Sequence, residues 1–173
     1  IVEVKNLKKY FHTKKGMLHA VDDVSFTIDK GETLGLVGES GCGKSTLGRV
    51  MIRLLEATSG EVRFYGDDIL KYSSGRMKDM RKRVQIVFQD PYSSLNPRLS
   101  VSDLISEPLL VNRVCGSTAE RTGRVLELMD TVGLARRLVN SYPHELDGGR
   151  RQRIGIARSL ALSPEFIVLD EPV

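Results

Sequence analysis

The chain has 173 residues, of which 40% are hydrophobic and 28% are charged, and its formal net charge is +4. This composition is typical of one compact globular domain or slightly more, and it excludes a disordered or collagen-like protein. No apolar stretch approaches the roughly 20 residues of a membrane-spanning helix, and the N-terminus lacks the layout of a signal peptide. Two cysteines, Cys42 and Cys115, are too few for a disulfide scaffold and favour a reducing, cytosolic setting. The mild positive charge permits an anionic ligand without requiring nucleic acid.

The first third of the chain predicts short strands around one helix. Val24, Phe26 and Ile28 alternate with polar residues, as do residues 62–64, which is typical of half-buried strands in an antiparallel sheet. The continuous apolar run at 33–37 instead predicts a strand buried on both faces. From Gly43 onward, apolar residues recur at helical spacing and predict a helix; they are Leu47, Val50, Met51, Leu54 and Leu55.

The rest of the chain predicts helices inserted between two further strands. Apolar runs at 84–88 and 166–169 predict buried strands, and the segment from about 90 to 145 is helical in character. Ser117 and Glu120 have the spacing of a capping box. The dipeptides 90–91 and 96–97, each ending in proline, mark the entry to this helical insertion, and Gly133 is well placed to end the helix that Ser117 begins.

A glycine-rich loop between the first predicted buried strand and its helix fits the pattern G-x-x-x-x-G-K-[ST]. Its small residues let successive backbone N–H groups turn toward an anion, and the helix N-terminus adds its positive dipole end. In this chemistry Lys44 supplies a cation for the β- and γ-phosphates, Ser45 a hydroxyl ligand for Mg²⁺, and Cys42 is a tolerated spacer. The loop consists of Gly38, Glu39, Ser40, Gly41, Cys42, Gly43, Lys44 and Ser45, and Thr46 extends it.

A second chemical anchor follows the last apolar run, where Asp170 and Glu171 stand side by side. Asp170 is suited to holding Mg²⁺, usually through water, and Glu171 to polarising the water that attacks the γ-phosphate. The alternative is a strand that ends in two solvated acids. The phosphate loop upstream favours the functional interpretation.

The segment 146–153, Leu-Asp-Gly-Gly-Arg-Arg-Gln-Arg, resembles the signature motif of ATP-binding-cassette (ABC) ATPases, which usually reads L-S-G-G-Q-R-Q-R. Gln89 matches the Q-loop of that family, and Tyr10 matches the aromatic residue that stacks on adenine. The motifs cover the whole chain in the family's order. The segments 33–42, 88–97 and 142–146 are most similar to the oligopeptide, dipeptide and nickel importer branch, and to the second of its two ATPases.

The resemblance implies an α/β P-loop NTPase fold of the ABC ATPase type, with a mixed β core, an antiparallel β subdomain and a helical insertion. We expect residues 1–89 to form the antiparallel subdomain and the start of the core. Residues 90–162 would form the helical subdomain, and residues 163–173 would return to the core. Because the chain stops just after Glu171, we expect it to be cut at its C-terminus, to leave its last strand exposed and to be inactive alone.

The resemblance also implies ATP and Mg²⁺ as cofactors and assigns the site residues. Tyr10 and residues 38–46 would bind the chain's own ATP, and Lys44, Gln89 and Glu171 would act in hydrolysis. Mg²⁺ would be held by Ser45, Gln89 and Asp170. Since such cassettes dimerise head to tail, Asp147, Gly148 and Gly149 would serve the partner's ATP.

The partners that the resemblance implies are a second ABC ATPase, two transmembrane permease subunits and an extracytoplasmic substrate-binding protein. It implies no direct contact with nucleic acid and a peripheral position at the cytoplasmic face of the membrane. The leading hypothesis is an ATPase that energises import of oligopeptides or dipeptides. The alternatives are a soluble ABC ATPase acting on nucleic acid or the ribosome, and a nucleotide-binding regulatory subunit with weak hydrolysis.

The chain departs from the family pattern at Asp147, where serine is usual, and at Arg150, where glutamine is usual. An aspartate about 4 Å from a phosphate charge is repelled by roughly 4 kcal/mol at an effective dielectric of about 20, unless Mg²⁺ or Arg150 offsets it. Alternatively, Asp147 simply caps its own helix. Arg150, Arg151 and Arg153 either face an anionic neighbour or are solvated and pair with Glu145 or Asp147, and the basic stretch 78–83 is interpreted as a solvated face.

Overall fold

The computed structural model describes residues 1–90 and 94–171. The chain divides into two compact units, the first running from Ile1 to Arg81 and the second beginning at Lys82. Residues 91–93 and 172–173 lie outside the described residues, and with them the proline of the 90–91 dipeptide.

The first unit contains the predicted antiparallel sheet. Its strands are β1 (Val2–Thr13), β2 (Gly16–Ile28), β3 (Ser59–Phe64) and β4 (Asp67–Asp68), in the order β2-β1-β3-β4. All of its pairings are antiparallel. The predicted alternation is confirmed at residues 24–28 of β2 and 62–64 of β3, where the apolar side chains are buried or half-buried and most of the side chains between them are more exposed. At the start of β2, in contrast, Met17 and Leu18 are exposed.

Helix α1 (Lys44–Met51) follows the glycine-rich loop and packs against β1 and β2. It buries Leu47, Val50 and Met51, as the spacing predicts. The predicted continuation through Leu54 and Leu55 is wrong: Arg53 takes a left-handed conformation, with φ of 54°. The chain therefore turns, and the Leu54 N–H bonds to the Arg49 carbonyl at 2.8 Å.

Helix α2 (Ser74–Arg83) is polar on most of its surface and buries Met77 and Met80. The side chains of Lys78, Arg81 and Arg83 are exposed. The interpretation of the basic stretch as a largely solvated face is confirmed.

The apolar run at 33–37 does not form the predicted buried strand. It has no strand conformation and pairs with neither sheet, and its side chains are exposed, Val37 by 94%. An apolar run favours burial, but a strand also needs a neighbour whose backbone groups complete its ladder. Among the described residues, no strand pairs with residues 33–37.

The second unit holds two parallel strands, β5 (Val84–Val87) and β6 (Phe166–Leu169), with Val84 opposite Phe166 and Val87 opposite Leu169. Both were predicted. β6, however, is only half-buried and Leu169 is 55% exposed. This contradicts full burial and agrees with the expectation of an exposed last strand.

Between these strands, the described residues from 95 onward form three α-helices, as the predicted insertion requires: α3 (Val101–Val111), α4 (Thr118–Thr131) and α5 (Gly148–Leu160). They share one apolar core, in which Leu104, Leu109, Met129 and Ile154 are almost fully buried. Across residues 1–90 and 94–171, no helix is both long enough and apolar enough to span a bilayer.

The predicted N-terminal cap of α4 is confirmed with one difference. The Ser117 hydroxyl accepts the Glu120 N–H at 3.1 Å, but the Glu120 carboxylate accepts from Gly116, at 2.7 Å, and not from Ser117. Gly133, with φ of 67°, follows the end of the helix as predicted.

We predict that Leu109→Ala lowers the free energy of unfolding by about 2–5 kcal/mol, because Leu109 is 1% exposed in the helical core. Leu110→Ala is the matched control, because Leu110 follows Leu109 on the same helix but is 51% exposed. This substitution should change the free energy of unfolding by less than about 0.5 kcal/mol. Urea unfolding followed by circular dichroism measures both variants. A loss for Leu109→Ala as small as that expected for Leu110→Ala would contradict a structural role for Leu109 in the helical core.

Candidate functional site

The glycine-rich loop leads directly into α1, with Gly43 as its N-cap at φ of 101°. A Cβ atom at Gly43 would lie 2.0 Å from the Ala20 carbonyl oxygen on β2. Both the left-handed conformation and this close approach require glycine. The loop is therefore held against the hairpin of β1 and β2 at one defined point.

Lys44 folds back over the loop that precedes it. Its Nζ donates to the carbonyl oxygens of Gly38, at 2.8 Å, and Glu39, at 2.7 Å, and it lies 3.8 Å from the Cys42 sulfur. No side chain caps α1, and its first turn holds no acidic residue. The Lys44 cation and the N-terminus of a helix thus meet in one exposed loop, which is an arrangement suited to binding phosphate.

Tyr10 lies on β1 directly opposite His19 on β2, and the two rings stack with centroids 3.9 Å apart and planes at 17°. The Tyr10 hydroxyl donates to Asp22, and the His19 Nδ1 lies 3.4 Å from the other carboxylate oxygen of Asp22. The hydrogen bond to Asp22 raises the pKa of the Tyr10 phenol above its ordinary value. The same bond, followed by the contact with His19, lowers the pKa of Asp22.

In the second unit the structure brings Gln89 and Glu171 together. Each lies two residues beyond the end of its parallel strand, and the carboxyl ends of β5 and β6 meet at one edge. The Gln89 amide donates to the Glu171 carboxylate. Asp170, which precedes Glu171, is buried, and its N–H bonds to the Val87 carbonyl at 3.0 Å, which extends the strand ladder by one residue.

A second pair holds the opposite ends of the same two strands. The Arg83 guanidinium donates to both carboxylate oxygens of Glu165, and the Glu165 N–H donates to the Arg83 carbonyl at 2.7 Å. Arg83 and Glu165 thus set the register from which Gln89 and Glu171 emerge side by side.

Asp147 is the N-cap of α5, as the simpler sequence interpretation predicts. Its carboxylate accepts the Arg150 N–H at 2.8 Å, and its other oxygen lies 3.5 Å from the Arg150 guanidinium. A Cβ at Gly148 would meet nothing within 4 Å, and one at Gly149 would make only ordinary contact with Asp147, at 3.7 Å. This chain's own packing therefore requires glycine at neither position.

The other arginines of α5 donate to backbone carbonyls. Arg151 is buried and its Nε donates to Pro143 at 2.6 Å, while Arg153 donates to Gly133 at 2.6 Å. The predicted ion pair between Arg150 and Asp147 is confirmed. Arg151 and Arg153 instead join the start of α5 to the segments before it.

The structure adds His19 and Asp22 to the candidate site residues, because both contact Tyr10. The sequence interpretation missed these two residues. His19 lies nine positions from Tyr10 in sequence, and only the hairpin register makes the two rings neighbours. Among the described residues, no group of three or more His, Cys, Asp or Glu side chains could hold a metal ion. The oxygens predicted for Mg²⁺ belong to Ser45, Gln89 and Asp170 and are of the hard type that Mg²⁺ prefers.

Solved structures share this fold. The chain is similar to a dimeric ATP-binding cassette in a post-hydrolysis state bound to ADP and Pi, with a TM-score of 0.92 and 31% identity over 100% of this chain and 75% of that one.

Curated relatives are similar over the whole chain. The oligopeptide transport ATP-binding protein OppF of Bacillus subtilis (strain 168) is 55% identical over 100% of this chain and 57% of its own length. OppF of Haemophilus influenzae is 50% identical over 99% of this chain and 52% of its own length. The chain thus spans about half the length of the curated relatives it matches.

A family model described as ABC transporter matches residues 21–173. The match includes the loop with Lys44, the pair Gln89 and Glu171, and the helix that Asp147 caps. Since this model covers most of the chain and agrees with the fold, the chain belongs to the ABC transporter family and has the α/β P-loop fold of its ATPase cassettes.

Proposed function

We propose that the chain is the ATP-binding and ATP-hydrolysing part of a subunit that energises an ABC importer of oligopeptides or dipeptides. The observation that carries hydrolysis is the contact between Gln89 and Glu171 at the carboxyl ends of two parallel strands. The transported substrate is inferred from the names of relatives that are 50–55% identical. Nothing in these comparisons favours a nucleic-acid-directed ATPase or a regulatory subunit.

The phosphate loop fits the triphosphate of ATP. Lys44 donates to two loop carbonyls, and both bonds are exchangeable for bonds to phosphate oxygens, which are stronger because both partners carry charge. The uncapped N-terminus of α1 adds backbone N–H groups and a partial positive charge. We propose that Tyr10 and residues 38–46 hold the nucleotide.

Glu171 is the proposed general base for hydrolysis. Its carboxylate is exposed, so water reaches it, and the Gln89 amide fixes its orientation. Ser45, Gln89 and Asp170 would supply the oxygen ligands for Mg²⁺, which when bound neutralises charge on the phosphates. The task of the chain's own groups is then to orient one water molecule and accept its proton.

The start of α5 is the proposed contact with a second ATPase subunit. Gly148 and Gly149 are not required by this chain's own packing, yet two glycines at a helix N-terminus allow a phosphate to approach the backbone closely. We propose that this surface serves the nucleotide of a partner, as the dimeric cassette of similar fold suggests.

Asp147 makes that contact unusual. The residue caps α5 and pairs with Arg150, so its negative charge is only partly offset where a partner's phosphate would lie. A heterodimer with a regular partner would then hold one impaired site and one normal site. We propose such a heterodimer, bound to two permease subunits at the cytoplasmic face of the membrane and supplied by an extracytoplasmic binding protein.

We expect Glu171→Gln to lower ATP turnover in the assembled transporter by at least about 100-fold, the usual scale for losing a general base, while ATP binding is retained. Phosphate release and equilibrium nucleotide binding measure the two effects. Glu127→Gln, on the exposed side of α4, is the control and should leave both unchanged. Unchanged turnover for Glu171→Gln would favour a regulatory subunit.

Asp147→Ser separates the cap from the charge. Serine caps a helix about as well as aspartate, so stability should change by a few tenths of a kcal/mol, whereas Asp147→Ala should cost about 1 kcal/mol. If the charge weakens a partner's site, Asp147→Ser should raise turnover of the assembled transporter roughly 1.5- to 5-fold, corresponding to about 0.2–1 kcal/mol for an exposed charge contact. A turnover that does not rise would leave Asp147 with the capping role alone.

The full-length protein, purified without any partner, should hydrolyse ATP slowly and without cooperativity, because a homodimer would carry Asp147 at both sites. Turnover measured against protein and ATP concentration tests this expectation. Robust cooperative hydrolysis by the isolated protein would contradict the heterodimer.

A further inference from the structure

The stacked rings of Tyr10 and His19 form an exposed aromatic platform on the hairpin of β1 and β2. The two residues are direct cross-strand partners, so their side chains share one face of the sheet. Their centroids are 3.9 Å apart and their planes differ by 17°. The His19 side chain is 51% exposed, so the platform is open to a further flat ring.

Asp22 holds both rings at once. One carboxylate oxygen accepts from the Tyr10 hydroxyl and the other faces the His19 Nδ1 at 3.4 Å. Lys8 lies 3.9 Å from the same carboxylate and partly balances its charge. Each ring therefore has one stacking partner and one polar contact with Asp22. These two contacts limit rotation of the ring about the side-chain bonds.

A close backbone approach joins this platform to the phosphate loop. The residue after His19 is Ala20, and a Cβ atom on Gly43 would lie only 2.0 Å from the Ala20 carbonyl oxygen. Gly43 immediately precedes Lys44. The stacked rings and the proposed phosphate-binding groups thus belong to one connected part of the first unit.

We propose that His19 is a positioning residue for Tyr10, the residue proposed above to stack on the base: the His19 ring covers one face of Tyr10 and fixes its ring plane, so that Tyr10 presents a fixed face to the base of the nucleotide. The proposal rests on the proposed function, in which the loop at 38–46 binds the triphosphate. A purine has a flat π-face that stacks on aromatic rings independently of its hydrogen-bonding edge. The pair offers such a surface next to the loop.

The test compares ATP with inorganic tripolyphosphate, which carries the phosphates but no base. Equilibrium binding of each is measured by calorimetry on the purified protein and on His19→Ala, His19→Phe and His144→Ala. His144 is the matched control because it is an exposed histidine that also stacks on a tyrosine, Tyr142, in the second unit. Thermal melts report whether each variant is folded.

We expect His19→Ala to weaken ATP binding about 10-fold, because Tyr10 loses the ring that fixes its plane and with it most of one base-stacking contact, and to change tripolyphosphate binding less than about twofold. His19→Phe should restore most of the ATP affinity because it keeps the second ring. His144→Ala should bind both ligands like the unaltered protein.

An unchanged or increased ATP affinity in His19→Ala would overturn the proposal. So would an equal loss for ATP and tripolyphosphate, since that result would place the effect in the fold and not in the base. If the unaltered protein bound neither ligand, the proposed ATP-binding function itself would be contradicted. A failure of the platform alone leaves ATP binding by the unaltered protein intact.

Discussion

The parallel pairing of β5 with β6 determines where the acidic and amide groups of the second unit lie. Two segments about eighty residues apart in sequence end at the same edge only because Val84 lies opposite Phe166 and Val87 opposite Leu169. Arg83 and Glu165 hold that register at one end. A slip of a single residue would turn the side chains beyond the strands to the opposite face and separate Gln89 from Glu171. The helices between the two strands pack into one apolar core, and this core stabilises the pairing by keeping the connection between the strands compact.

In the first unit, too, one contact between distant segments positions the candidate site. One close approach, between Gly43 and the Ala20 carbonyl, joins the phosphate loop to the hairpin that carries Tyr10. The lysine of the loop is already turned inward onto the carbonyls of Gly38 and Glu39. The position of the loop on the hairpin thus exists before a polyphosphate binds, which reduces the ordering that binding would require, whereas Lys44 exchanges its two carbonyl bonds for bonds to phosphate oxygens.

The parts of the structure that sequence predicts well are those decided by near neighbours. The glycine-rich loop, the start of α1 and the cap at Asp147 depend on residues within a few positions, and all three were predicted. The run at 33–37 was predicted wrongly because its strand state depends on a distant edge that its own residues do not supply. The burial of Arg151 and the stacking of His19 on Tyr10 were missed for a similar reason, since both follow from chain segments that meet only after folding.

The cap of α5 also makes the protein responsive to its ionic surroundings. The pair of Asp147 and Arg150 is exposed on the surface, with 3.5 Å between its charged atoms, so dissolved salt weakens it, and at physiological ionic strength the screening length is about 8 Å. The hydrogen bond from the Arg150 backbone to Asp147, in contrast, is part of the helix start and depends less on salt. The two roles of one carboxylate therefore separate as salt concentration changes: the capping role persists, while the field that Asp147 projects beyond the helix fades.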